Sequence, residues 1–137
     1  MAAQRIRVLK VSPFYTSPAW PDPTNPPYVN AVALVQTPMG PAGLLEALHG
    51  IEAAFGRERS VANAPRTLDL DIIDFDGRVE AGPPILPHPR AADRAFVLKP
   101  LADVAPAWRH PGSRKLVAVL LAGLPESDVA AVTRITP

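Results

Sequence analysis

The chain contains no cysteine. Disulfides, thiolate metal sites and a cysteine nucleophile are therefore excluded. Aromatic residues are sparse, at 6%, so each aromatic side chain left outside a core becomes a site candidate. The formal charge is only +1, which gives no global attraction to nucleic acid or to an anionic membrane surface. No apolar run reaches the roughly 20 residues that span a bilayer, and the opening MAAQRIRVLK lacks the apolar centre of a secretory signal. A cytoplasmic chain with neither nucleic acid nor membrane as partner is expected. A Gly-rich phosphate loop, an HExxH motif and a Ser-His-Asp arrangement are also absent.

What the sequence does have is apolar content and proline. With 137 residues, 47% of them hydrophobic, one compact domain spanning residues 1–137 is expected. The 18 prolines concentrate in connections. Residues 18–27 (PAWPDPTNPP) hold five of them and supply too few backbone donors for a strand, so they read as a loop. On either side lie two alternating stretches, 5–15 (RIRVLKVSPFY) and 28–37 (YVNAVALVQT), expected to be half-buried strands of an antiparallel pair.

Residues 41–55 carry Leu44, Leu45, Leu48, Ile51 and Phe55 at helical spacing, with Pro41 suited to a first turn and Gly56 to a stop. Residues 67–75 (TLDLDIIDF) alternate again and predict a third strand, closed by the turn pair Asp76-Gly77. Short helices are expected over 94–104, broken near Pro100, and over 115–122. The order strand, strand, helix, strand, short helices predicts an α/β (α+β) sandwich.

The chemistry concentrates at Asp69 and Asp71. At a period of two they share one face of the predicted strand, while Leu68, Leu70 and Ile72 take the other. Adjacent carboxylates repel unless they are solvated, paired or bridged by a cation. Magnesium takes oxygen ligands of this kind, completed by water and phosphate. Arg57, Arg59 and Arg66 lie close by in sequence, and guanidinium groups clamp phosphates. The plain alternatives are a wet sheet face for the aspartates and a solvated helix-end cap for the arginines. His88, between two prolines (LPHPR), is either presented to a ligand or an ordinary turn histidine.

Four segments carry a family resemblance: SPFYTSPAW followed by PPYVNAVALVQT, LLEALHGIEAAFGRER, APRTLDLDII, and LPHPRAADRAFVLKPLADVAP. Together, in this order, they resemble the 6-hydroxymethyl-7,8-dihydropterin pyrophosphokinases of folate synthesis over most of residues 12–106. The resemblance implies a ferredoxin-like sandwich with a mainly antiparallel sheet. It implies transfer of pyrophosphate from ATP to the pterin hydroxymethyl group, with release of AMP. Asp69 and Asp71 would hold two Mg2+ ions, and Arg57 and Arg66 would contact the phosphates as part of the catalytic set. Glu52, Arg59, His88 and Arg94 fall at nucleotide-side positions. Ser17, Pro18, Tyr28, Asn30 and Phe96 fall at pterin-side positions, where a ring such as Phe96 suits stacking and Asn30 offers both donor and acceptor.

The sequence departs from the family in two places. The GSNLG-like opening strand and its helix are not seen, which leads to an expected N-terminal truncation and an exposed sheet edge open to oligomerisation. In the loop SVANAP, Ala62 has no group to clamp a phosphate and Asn63 replaces a frequent family residue. Two other functions stay open: a non-catalytic nucleotide-binding or interaction module, and a metal-dependent hydrolase built on the same aspartates.

Overall fold

The computed structural model describes residues 5–19, 22–58 and 68–135, with only the backbone of Arg57 and Glu58 in the last helical turn. Among the described residues, ten elements make up the α+β fold, of the expected ferredoxin-like class. They are β1 (Arg7–Val11), β2 (Tyr15–Ser17), β3 (Tyr28–Asn30), β4 (Ala33–Gln36), α1 (Pro41–Glu58), a 3₁₀ turn (Ala91–Asp93), α2 (Ala95–Val104), α3 (Val117–Ala122), α4 (Glu126–Ala130) and β5 (Thr133–Arg134). All strand pairing is antiparallel: β1 with β4, and β2 between β3 and β5.

Each of the two predicted strands is in fact two. The first breaks between Val11 and Tyr15, the second between Asn30 and Ala33, and the breaks face each other. Pro13 has no amide to give to a ladder. Ser12 fills the gap from both sides: its amide donates to the Val32 carbonyl at 2.9 Å, and its hydroxyl accepts from the Val32 amide at 3.0 Å. The bend sends β1 and β4 into one sheet and β2 and β3 into another. β1 is also less covered than expected, since all five of its residues are exposed and only Ile6, just before it, is buried.

The predicted strand over 67–75 is a correction. Residues 68–75 join no sheet. The alternation is nonetheless real as burial: Leu68 and Leu70 are half-buried and Ile72 buried, whereas Asp69 and Asp71 are exposed. Ile72 packs with Ile6, Leu44, Leu48 and Leu86, and Leu70 and Ile51 pack against that cluster. Ile73 turns the opposite way, onto the cluster of Leu98, Leu101, Val104 and Val117. The segment thus runs between a core built on α1 and a core built on α2 and α3. The predicted turn follows it: Asp76 and Gly77 have φ of 52° and 68°, and Arg78 donates to Phe75 O at 2.9 Å. Two consecutive positive φ values define a type I′ turn.

α1 carries on past Gly56 to Glu58, so Gly56 is not its stop. α2 likewise runs unbroken through Pro100. The missing amide costs one helical hydrogen bond, but Leu98, Pro100, Leu101 and Val104 are all buried on this helix, and apolar burial of that extent outweighs a single bond. Beyond α3 the chain folds back as α4 and β5. Lys99 fastens it there, its ammonium donating to Val129 O at 2.8 Å and Val132 O at 2.6 Å.

Candidate active site

Asp69 and Asp71 project from the segment between the two cores. α1 fixes that segment at a specific atom: the Leu70 amide, which sits between the two aspartates, donates to Glu52 Oε2 at 2.6 Å. Glu52 therefore has a positioning task that residue patterning did not suggest. Its partner is a backbone group eighteen positions away. The alternation of burial leaves both Asp69 and Asp71 exposed, while Leu70 between them and Ile72 beyond turn inward.

The LPHPR segment is tied to the same strip of chain. His88 N–H donates to Ile73 O at 2.9 Å. The ring Nδ1 of His88 accepts the Arg90 amide at 3.2 Å, so the neutral imidazole carries its proton on Nε2 and offers a donor there. Arg94 stands at the entrance to α2. Its carbonyl accepts from Val97 and Leu98 at 3.0 Å each, and its guanidinium lies 5.4 Å from the Phe96 ring centroid. A cation over an aromatic face is an attractive arrangement. It brings one expected nucleotide-side residue and one expected pterin-side residue into contact.

Three of the other residues expected on the pterin side, Ser17, Tyr28 and Asn30, lie on the β2–β3 pair. Ser17 is paired with Tyr28 and Tyr15 with Asn30. Ser17 is buried, and its hydroxyl has no hydrogen-bond partner among the described residues. Leaving such a group unpaired costs free energy of about 1–3 kcal/mol. Asn30 is half-buried, Tyr28 and Pro18 are exposed, and Phe96 is half-buried against Tyr15, Ala95 and Val132.

Arg59, Arg66, Ala62 and Asn63 lie outside the described residues, as does the side chain of Arg57. Among the described residues, no three His, Asp or Glu side chains converge as a metal site. Two carboxylates alone are the donor set that magnesium accepts when water and phosphate oxygens supply the remainder, so Asp69 and Asp71 fit that ion. A cavity of about 900 Å³ lies against residues 5–8 and 36–38, and none of the expected site residues among those described lines it. Sequence reasoning overlooked Tyr15 and Asp103, whose side chains bond across 88 positions of the chain. The position of Tyr15, two residues before Ser17 on one strand face, was the available signal.

Comparison with known proteins gives a consistent result. The model of the 7,8-dihydro-6-hydroxymethylpterin-pyrophosphokinase (HPPK) family matches residues 1–106. The chain is 44% identical over 117 residues to the 2-amino-4-hydroxy-6-hydroxymethyldihydropteridine pyrophosphokinase of Pseudomonas aeruginosa, covering 85% of this chain and 72% of that protein. It is 38% identical over 133 residues to the protein of the same name from Synechocystis, covering 96% of this chain and 66% of that one. It is also 37% identical over 134 residues to the folic acid synthesis protein fol1 of Pneumocystis carinii, covering 96% of this chain but only 18% of that much longer protein.

Proposed function

The chain belongs to the 7,8-dihydro-6-hydroxymethylpterin-pyrophosphokinase family, and from that membership and the site's geometry we propose that it transfers pyrophosphate from ATP to the hydroxymethyl group of 6-hydroxymethyl-7,8-dihydropterin in folate synthesis. The hydroxymethyl oxygen bonds to the β-phosphorus. The bond from that phosphorus to the oxygen bridging the α- and β-phosphates breaks, and AMP leaves.

One observation carries this reading. The exposed carboxylates of Asp69 and Asp71 sit on a strip of chain pinned by Glu52 on one side and by the His88 backbone on the other. Asp69 and Asp71 would hold magnesium, in two ions, whose charge offsets that of the polyphosphate. The Nε2–H of His88 and the guanidinium of Arg94 are donors suited to phosphate or ribose oxygens. Arg57, Arg59 and Arg66 would add charge at the phosphates. On the pterin side, Phe96 gives a flat ring to stack on, the unpartnered Ser17 hydroxyl gains a partner when a polar ring edge arrives, and Asn30, Tyr28 and Pro18 complete the wall. We place the reaction in the cytoplasm, in a single domain covering the chain.

The test is the identity of the nucleotide product. The 137-residue chain with ATP, magnesium and 6-hydroxymethyl-7,8-dihydropterin forms AMP only when the pterin is present. ADP as product, or phosphate released without pterin, contradicts the reading, the second result favouring a hydrolase. A second reading, an interaction module, is favoured by the exposure of Val8, Leu9 and Val11 on β1 and Leu34 on β4, an apolar ribbon suited to another copy. A monomer at high concentration in sedimentation removes it.

A further inference from the structure

The pterin-side residues come from two separate parts of the chain. Ser17 and Asn30 lie on the β2–β3 pair, whereas Phe96 rides on the first turn of α2. Something must hold the strand pair at a fixed distance from that helix. The Tyr15 side chain touches both parts. Tyr15 lies opposite Asn30 in the register and two residues from Ser17. Tyr15 and Ser17 are both buried, with Thr16 between them half-buried, so they share the inward face of β2. The Tyr15 ring packs with Ala95 and Val132 in the cluster that Phe96 joins. At its far end, the Tyr15 hydroxyl donates to Asp103 Oδ2 at 2.5 Å, two turns further along α2 and 88 positions away in sequence.

We propose that Tyr15 is a positioning residue for the pterin, its hydrogen bond to Asp103 latching β2 onto α2 so that Ser17 and Asn30 face the Phe96 ring at the spacing of one flat bicycle. The proposal rests on the functional reading above. A phenol anchored at its ring by apolar packing and at its tip by a carboxylate fixes both sliding and rotation between strand and helix. Neither contact alone does so. A short charge-assisted hydrogen bond is stronger than a neutral one, and this one is partly buried.

The experiment compares the wild-type 137-residue chain with Tyr15→Phe, Asp103→Ala and Asp103→Asn. Tyr15→Phe keeps the ring and removes only the hydroxyl, and Asp103→Asn keeps an acceptor. Two quantities are read: hydrogen exchange of the β2 amides, and KM for the pterin beside KM for ATP. Tyr15→Phe and Asp103→Ala each speed β2 exchange and raise the pterin KM about tenfold, the equivalent of about 1.4 kcal/mol, with the KM for ATP unchanged. Asp103→Asn restores both quantities most of the way.

Unchanged β2 exchange in both Tyr15→Phe and Asp103→Ala overturns the latch, whatever the activity. Faster exchange with an unchanged pterin KM reduces the bond to a stability contact and overturns the positioning role, as does an equal rise in the two KM values. Wild-type chain that forms no pterin-dependent AMP overturns the functional reading and the pterin assignment with it, and the exchange data still decide whether the latch exists.

Discussion

Replacing Glu52 by alanine leaves the Leu70 amide without its acceptor, midway between the two carboxylates proposed to hold the metal. The bond is 2.6 Å long and partly buried, with a carboxylate oxygen as acceptor. Hydrogen bonds to charged groups contribute about 1.5–3 kcal/mol, and partial solvation points to the lower half of that range. A loss of about 2 kcal/mol is expected, which corresponds to roughly thirtyfold in an equilibrium constant. Urea unfolding of wild type, Glu52→Ala and Glu52→Gln measures it. The glutamine retains a neutral acceptor, and neutral bonds have about half the strength of charged ones, so its midpoint falls between the other two. Because the released amide belongs to residue 70, the magnesium concentration for half-maximal rate rises in the same order. If Glu52→Ala matches wild type in both unfolding and magnesium requirement, the pinning argument is wrong.

Three further outcomes follow from other parts of the molecule. Gly82 has φ of +93°, and a Cβ there would meet Ile85 N at 2.7 Å and Pro84 C at 2.8 Å; Gly82→Ala should lose about 1–3 kcal/mol in urea unfolding, and an unshifted midpoint contradicts this. Leu98, fully buried between α2 and α3, should cost about 2–5 kcal/mol as alanine, seen as a large fall in Tm. Burial, reinforced by the bond to Asp103, raises the pKa of the Tyr15 phenol above its ordinary 10.0. Its folded pKa is therefore the higher one, so its contribution to stability is complete below pH 10.0 and is lost as pH rises through the folded value. The alkaline fall in stability should be shallower in Tyr15→Phe, and identical slopes refute that assignment.

How much of this was legible in the sequence depends on what each pattern encodes. The spacing of Leu44, Leu48 and Ile51 reports a helix with one apolar face, because burial on a helix recurs with the turn, and α1 is there. Gly56 failed as a stop because a glycine is only permissive of a left-handed cap and does not impose one. The alternation from Leu68 to Ile72 encodes which side chains are buried, and it held. It does not encode a ladder partner, since main-chain pairing depends on a neighbour elsewhere in the chain, and there the strand expectation failed. Pro13 was a readable warning that residues 5–15 could not form one strand. The carboxylate pair was legible because Asp69 and Asp71 are local. The Leu70–Glu52 and Tyr15–Asp103 bonds, which orient the site, join residues 18 and 88 positions apart, and nothing in local periodicity reports such a contact.

On the function proposed above, Asp69 and Asp71 make this chain a magnesium-dependent pyrophosphoryl transferase. The most direct test follows the magnesium-dependent rate of AMP formation from ATP and 6-hydroxymethyl-7,8-dihydropterin, in wild type and in Asp69→Ala and Asp71→Ala. Both side chains are exposed, so the variants should unfold at the wild-type urea midpoint, surface changes of this kind lying within about 0.5 kcal/mol. Pterin-dependent AMP is expected from wild type and should be lost in each folded variant. Turnover retained by either folded variant would contradict it.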